Sequence, residues 1–167
     1  MKKFIGLFVI LVALFIFVFL PYIERHREIS APPSHILAQC VLGASNTYNV
    51  PTDVIIAIMY VEGGRIGQQV ANVNGTYDLG IMQVNSLWVP QLAQLWNVNY
   101  GTAYASIRDS GCENIYVGAW ILKKSIATTG TLYDGIAYYH SATRGLGAAY
   151  ASKVIGTMQK KGLSFAP

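Results

Sequence analysis

An apolar run that ends in a carboxylate and two glycines constrains this chain more than any other stretch. It reads Val54-Ile55-Ile56-Ala57-Ile58-Met59-Tyr60-Val61-Glu62-Gly63-Gly64. As a helix it sets Ile55, Ile58 and Glu62 on one face, because residues three, four and seven apart stack along the same side. Gly63-Gly64 stops the helix, so Glu62 falls in its last turn, beside unpaired carbonyls and the negative end of the macrodipole. Apolar surroundings and a helix C-terminus both disfavour a charged carboxylate and raise its pKa. An acid that keeps its proton near neutral pH is a general acid, suited to protonating a glycosidic oxygen. Taken alone, such a glutamate equally fits a helix end fraying into solvent. The residues around it decide.

Helical signals continue along the chain. Ser34 can cap a first helix carrying Ile36, Leu37, Cys40, Val41 and Ala44, and Pro51 and Asp53 suit the first turn of the Glu62 helix. Gly63 to Gly80 has no helical period and reads as loop, with a small hairpin at Asn74-Gly75. Leu87 to Trp96 predicts a helix that tolerates Pro90 near its start. Ser110-Gly111-Cys112-Glu113 is a capping box opening Ile115 to Ile126, and Thr131 to Asp134 caps Ile136 to His140 in the same way. A last helix carries Leu146, Tyr150, Val154 and Met158. With no long strand pattern and no repeat, the fold class is mainly α.

The N-terminus is a separate piece. Lys2-Lys3 precede an uncharged run of 17 residues, Phe4 to Leu20, the lower limit for spanning a bilayer. We divide the chain into an N-terminal hydrophobic helix over 1–23, a charged and proline-containing stalk over 24–33, and a folded domain over 34–167. The basic flank suits an N-in, C-out orientation. No good small-x-small cleavage site follows, which favours an uncleaved inner-membrane anchor over a signal peptide. Either exports the domain to the periplasm. Cys40 and Cys112 fit no metal-ligand spacing and could close one long disulfide loop in an oxidising compartment, or stay as two buried thiols; export favours the bridge. The whole chain carries a net charge of +4. From Ser34 onward eight basic residues face six acidic ones, too dilute for nucleic-acid binding.

Three segments line up with Glu62. They are Val61-Glu62-Gly63-Gly64, then Asn74-Gly75-Thr76-Tyr77-Asp78-Leu79-Gly80-Ile81-Met82-Gln83-Val84-Asn85-Ser86, then Ala137-Tyr138-Tyr139-His140-Ser141. In this order they resemble the lytic transglycosylase domain of the soluble-lytic-transglycosylase type, which shares a goose-type-lysozyme-like helical fold. The resemblance spans roughly Ile36 to Val154. The glycines after the Glu, Gly118-Ala119-Trp120-Ile121-Leu122 and Tyr-His-Ser resemble the branch that travels with conjugation, type IV secretion and pilus machines. Two positions depart from the wider family. Gly63 stands where Ser is usual, and His140-Ser141 stand where Asn-Ala follows the Tyr.

What the resemblance implies is a periplasmic enzyme acting on peptidoglycan without metal or cofactor. Glu62 would protonate the oxygen between N-acetylmuramic acid and N-acetylglucosamine, then accept the proton of the muramyl C6 hydroxyl as that hydroxyl attacks C1. This needs no second carboxylate, whereas hydrolases use a pair; Asp78 is expected to tie down its own loop through the backbone. By motif position Tyr139 would hydrogen-bond Glu62, Gln83 and Asn85 would bind sugar amide and hydroxyl groups, and Met82 would form an apolar wall. His140 joins the substrate-binding set; no partner at ligand spacing makes it a metal ligand. Each has a plainer role: Tyr139 and Met82 as core, Asn85 as a helix cap. The rival functions are a muramidase that uses water and an inactive wall-binding subunit of an envelope machine.

Overall fold

A computed structural model of the chain describes residues 34–164. The apolar segment and stalk expected over 1–33 lie outside them. The chain from Leu37 onward forms one compact unit, and the site lies wholly in it.

The Glu62 run folds as its period predicts. After α1 (Ser34–Tyr48), which turns Val41 and Ala44 inward, α2 (Thr52–Glu62) buries Val54, Ile55, Ala57 and Ile58 completely. Burial of each isoleucine is worth roughly 1.5–3 kcal/mol. Gly63 ends α2 in the left-handed region at φ 62°, its N–H donating to the Met59 carbonyl at 3.0 Å. Only glycine takes that cap without a steric penalty.

The Gly/Asn-rich stretch forms the hairpin expected at Asn74-Gly75 and adds a third strand to it. β1 (Gln69–Ala71), β2 (Tyr77–Leu79) and β3 (Val84–Asn85) form an antiparallel sheet in that order. The β1–β2 hairpin turns through Asn74-Gly75, with Gly75 at φ 80° and the Asn72 N–H donating to the Thr76 carbonyl at 2.8 Å. A 3-10 turn (Ser86–Trp88) takes up Leu87, so α3 (Val89–Trp96) starts later than predicted, with Pro90 in its first turn. α4 (Tyr100–Asp109) was not foreshadowed by any apolar period.

The side-chain caps predicted at Ser110 and Thr131 form. The Ser110 Oγ accepts from the Glu113 N–H at 3.3 Å at the start of α5 (Gly111–Thr129). The Thr131 Oγ1 accepts from the Asp134 N–H at 3.0 Å ahead of α6 (Leu132–His140). α7 (Arg144–Lys161) turns Tyr150, Ala151, Val154 and Met158 inward. Leu146, predicted on the same face, is 59% exposed because it borders an open groove.

The helices pack in a chain of neighbours: α3 on α4, α4 on α5, α5 on α6, α6 on α7, and α7 back on α2. This is the mainly helical, lysozyme-like domain that the sequence predicts. Two glycines permit its tightest approaches. A Cβ on Gly118 would lie 2.8 Å from the Met82 Cε, and one on Gly64 would overlap the Gly80 carbonyl oxygen. Cys40 and Cys112 form the disulfide, with Cα atoms 5.3 Å apart across a sequence separation of 72, tying α1 to the start of α5.

Candidate active site

Glu62 reaches the floor of an open cleft of about 540 Å³. Its position follows from α2: Ile55 and Ile58 anchor the inward face, and Glu62 continues that face one turn beyond the core. The carboxyl is half-buried, and its Oε1 accepts a hydrogen bond of 2.5 Å from the Tyr150 hydroxyl on α7. Burial pushes the Glu62 pKa up from its ordinary value, and the nearby Asp78 charge adds to the rise. The Tyr150 hydrogen bond and the Lys153 ammonium oppose it, without reversing the direction. Glu62 is therefore an acid biased toward keeping its proton.

The sheet and its loop build the opposite wall. Gln83, Asn85, Asp78, Asn72 and Trp88 line the cleft, and Tyr139 and His140 come to it from the end of α6. Gln83 sits at φ 48°, unusual for a residue with a side chain, and its Nε2 donates to the Gly80 carbonyl at 2.7 Å. A non-glycine residue held in that region stores strain, a pattern concentrated at functional sites. Asn85 serves the cap and the cleft together. Its Oδ1 accepts from the Leu87 N–H at 3.0 Å, while its Nδ2 donates to Asp78 Oδ1 at 2.8 Å and Thr76 Oγ1 at 3.0 Å.

Three expectations need correcting. Tyr139 does not bind Glu62; its hydroxyl donates to the Met82 carbonyl at 3.0 Å, and Tyr150 takes the expected role. The reason is reach: α7 packs directly on α2, which brings Tyr150 to the carboxyl from beside it. Met82 is no sugar wall. It is fully buried, filling the space that Gly118 leaves, and is not among the residues lining the cleft. Asp78 is held by the Asn85 side chain rather than by loop backbone. It also faces the same cleft as Glu62, so a second carboxylate is present there after all. His140 lines the cleft with its ring stacked on Tyr150, centroids 4.6 Å apart and planes 4° from parallel.

Burial pushes the Tyr139 and Tyr150 hydroxyls far above their ordinary range, with the Glu62 charge the next cause for each. Both stay protonated and act as donors. Among the described residues no group of three or more His, Cys, Asp or Glu gathers as a metal cage.

A pKa-raised glutamate ending a helix, facing an amide-lined cleft, is the pattern the three motifs suggested. A family model confirms the kinship: the Transglycosylase SLT domain matches residues 39–158. This chain belongs to the SLT transglycosylase family. The match spans every helix named above from within α1 to within α7, and the family acts on peptidoglycan. The SLT domain is also similar to Invasion protein IagB of Salmonella typhimurium strain SL1344, 28% identical over 136 residues. That covers 76% of this chain and 80% of the relative. Invasion protein IagB of Salmonella typhi is 28% identical over 110 residues, 64% of each chain.

Three residues of the SLT domain site escaped the sequence reading. Tyr150 hid among apolar residues of the α7 period, although a tyrosine on a buried face must find a partner for its hydroxyl. Asn114, fully buried, donates to the carbonyls of Leu79 and Ile107 at 2.8 and 2.9 Å and accepts from the Met82 N–H at 2.7 Å. It pins the Gly80–Met82 turn to α5, and an asparagine amid Ile115 and Val117 was its one signal. Trp88 packs edge-on to Trp120 at 5.3 Å, and the Lys124 Nζ lies 4.8 Å from the Trp120 ring centroid.

Proposed function

We propose that this SLT domain is a lytic transglycosylase that cuts peptidoglycan between N-acetylmuramic acid and N-acetylglucosamine and leaves a 1,6-anhydro end. One observation carries the reading: Glu62, biased toward its protonated form, hydrogen-bonded to Tyr150 and facing the open cleft. Glu62 gives its proton to the bridging oxygen as the bond from that oxygen to the muramyl C1 breaks. The resulting carboxylate takes the proton of the muramyl C6 hydroxyl, whose oxygen bonds to C1. Atoms and charge balance without water, and the nucleophile, being part of the substrate, has a high effective concentration. Gln83, Asn85 and Asn72 offer the amide groups that sugar N-acetyl and hydroxyl groups need, and Trp88 an aromatic face.

Asp78 favours a second reading. A carboxylate in the same cleft could activate water, and the enzyme would then be a muramidase. Its hydrogen bond from Asn85 argues for a fixed spectator. Mass spectrometry of digested glycan strands discriminates. Anhydro ends that persist in Asp78→Asn support transglycosylation, and reducing ends lost in that variant support hydrolysis. Intact strands would leave only a wall-binding subunit.

For setting, we propose an inner-membrane anchor at Phe4–Leu20 holding the domain in the periplasm, where it opens the wall for a secretion, conjugation or pilus machine. The cysteine bridge and the relatives' name, invasion protein, support this. Fractionation with N-terminal sequencing tests it. A soluble protein beginning between Ser30 and Gln39 would overturn the anchor.

A further inference from the structure

The Tyr150 ring is buried and its hydroxyl donates to the Glu62 carboxyl, so the acid is oriented only as well as that ring is held. A ring face offers no donor or acceptor, so packing alone can fix its plane. His140 supplies that packing. Its imidazole lies flat on Tyr150, centroids 4.6 Å apart and planes 4° from parallel, while Tyr139 stands further off at 6.4 Å and 23°. His140 is itself exposed, and among the described residues neither a hydrogen bond nor an ion pair holds its ring. The stack is its one ring contact there.

The backbone is shaped to allow this stack. A Cβ on Gly147 would lie 2.9 Å from the carbonyl oxygens of Ala137 and Ser141. Glycine at 147 lets α7 close on the end of α6, where His140 sits. Tyr150 follows three residues later on the same inward face of α7.

We propose that His140 is a positioning residue: stacked on Tyr150, its ring keeps the tyrosine hydroxyl on Glu62 and shields that bond from water. This rests on Glu62 as the acid of the proposed function and gives His140 its part through Tyr150 rather than through the sugar. The Tyr150 bond lowers the Glu62 pKa, so a looser tyrosine leaves an acid that titrates higher. Asp78 on β2, Lys153 on α7 and Tyr139 on α6 also act on Glu62 or feel its charge, and a change at 140 leaves all three in place. Stacking needs a flat ring and no nitrogen. A sugar contact needs the nitrogen, and phenylalanine separates the two.

The test uses the full chain, purified in detergent, on purified glycan strands. His140→Ala and His140→Phe are made in wild type and in Tyr150→Phe. An aromatic pair of this kind is worth about a threefold to tenfold change. His140→Ala should lower kcat by about that factor, keep KM within about twofold of wild type, and move the alkaline limb of the rate profile upward. His140→Phe should restore most of kcat and return the limb. In the Tyr150→Phe background neither substitution should change kcat by more than about twofold, because the bond they support is gone. A rise in KM that His140→Phe does not restore would make His140 a sugar contact and overturn the proposal. Full activity in His140→Ala, or equal losses with and without the Tyr150 hydroxyl, would overturn it too. Reducing ends in place of anhydro ends would remove the transglycosylase reading alone, since a muramidase needs the same acid. Wild-type chain that cuts nothing would remove both.

Discussion

Glu62 has two measurable properties that separate chemistry from architecture. Glu62→Gln keeps the side-chain shape and an acceptor for Tyr150 but has no proton to give, so turnover should fall at least about 10²-fold in clearing assays on purified wall. Its stability should move the other way. The folded pKa is raised above the ordinary 4.5, so the stability tied to the protonated form is whole below the unfolded pKa. It is lost as pH rises through the folded one. Gln mimics the protonated form throughout; the variant should melt with wild type at about pH 4 and above it at about pH 7. Identical melting curves at both would show that burial does not strain the carboxylate. Tyr150→Phe removes a bond that holds the pKa down, so the acid should titrate higher still and the alkaline limb of the rate profile should shift upward. Activity should drop by about tenfold or more, as for hydrogen bonds to charged groups. Glu62 was legible because a carboxylate interrupts a period that apolar residues otherwise keep. Tyr150 was not, because tyrosine satisfies that period, and only the packing of α7 on α2 reveals where its hydroxyl goes.

Elements with a strong signal were read well and weakly patterned ones were lost. α2 carries its apolar face and glycine stop in plain view, and the Ser110 and Thr131 caps stand where their side-chain oxygens require. α4 shows only Ala103 and Ile107 buried, one turn apart, amid Gly101, Thr102 and Ser106, which are poor or middling helix formers. Its formation is a tertiary effect: α3 and α5 supply the surfaces it covers. The β1–β2 hairpin was legible in its Asn74-Gly75 turn, while the third strand escaped because strands of two or three residues are too short for alternation to register. What holds the sheet to the helices is Asn114. Asn114→Ala would strip partners from the Met82 N–H and the carbonyls of Leu79 and Ile107 in a dry interior. Each orphaned group costs about 1–3 kcal/mol, and relaxation shares the loss, so a destabilisation of about 2–4 kcal/mol is expected in urea melts. Loosening of the Gln83 turn should lower activity even where the variant is folded. A stability change below about 0.5 kcal/mol, the scale of ordinary surface substitutions, would show the turn to be self-supporting.

Across the molecule the longest covalent constraint is the Cys40–Cys112 bridge, whose 72-residue span encloses Glu62 and the whole sheet. Loop-entropy arguments give about 4 kcal/mol for a span of that size, an upper figure. Replacing both cysteines by serine should lower stability toward that amount, and thiol counting on denatured, unreduced protein should find no free thiols. Two free thiols would refute the bridge. The bond between Tyr150 and Glu62, by contrast, joins residues 88 positions apart and falls outside that loop. It has a consequence in time. A chain made from its N-terminus exposes its acid long before the last helix arrives to orient it, so a partly finished or truncated copy carries the blade without the hand that steadies it. On the proposed function, cutting power is thus the final property the polypeptide acquires, and a break in α7 ahead of Tyr150 removes the bond that orients Glu62.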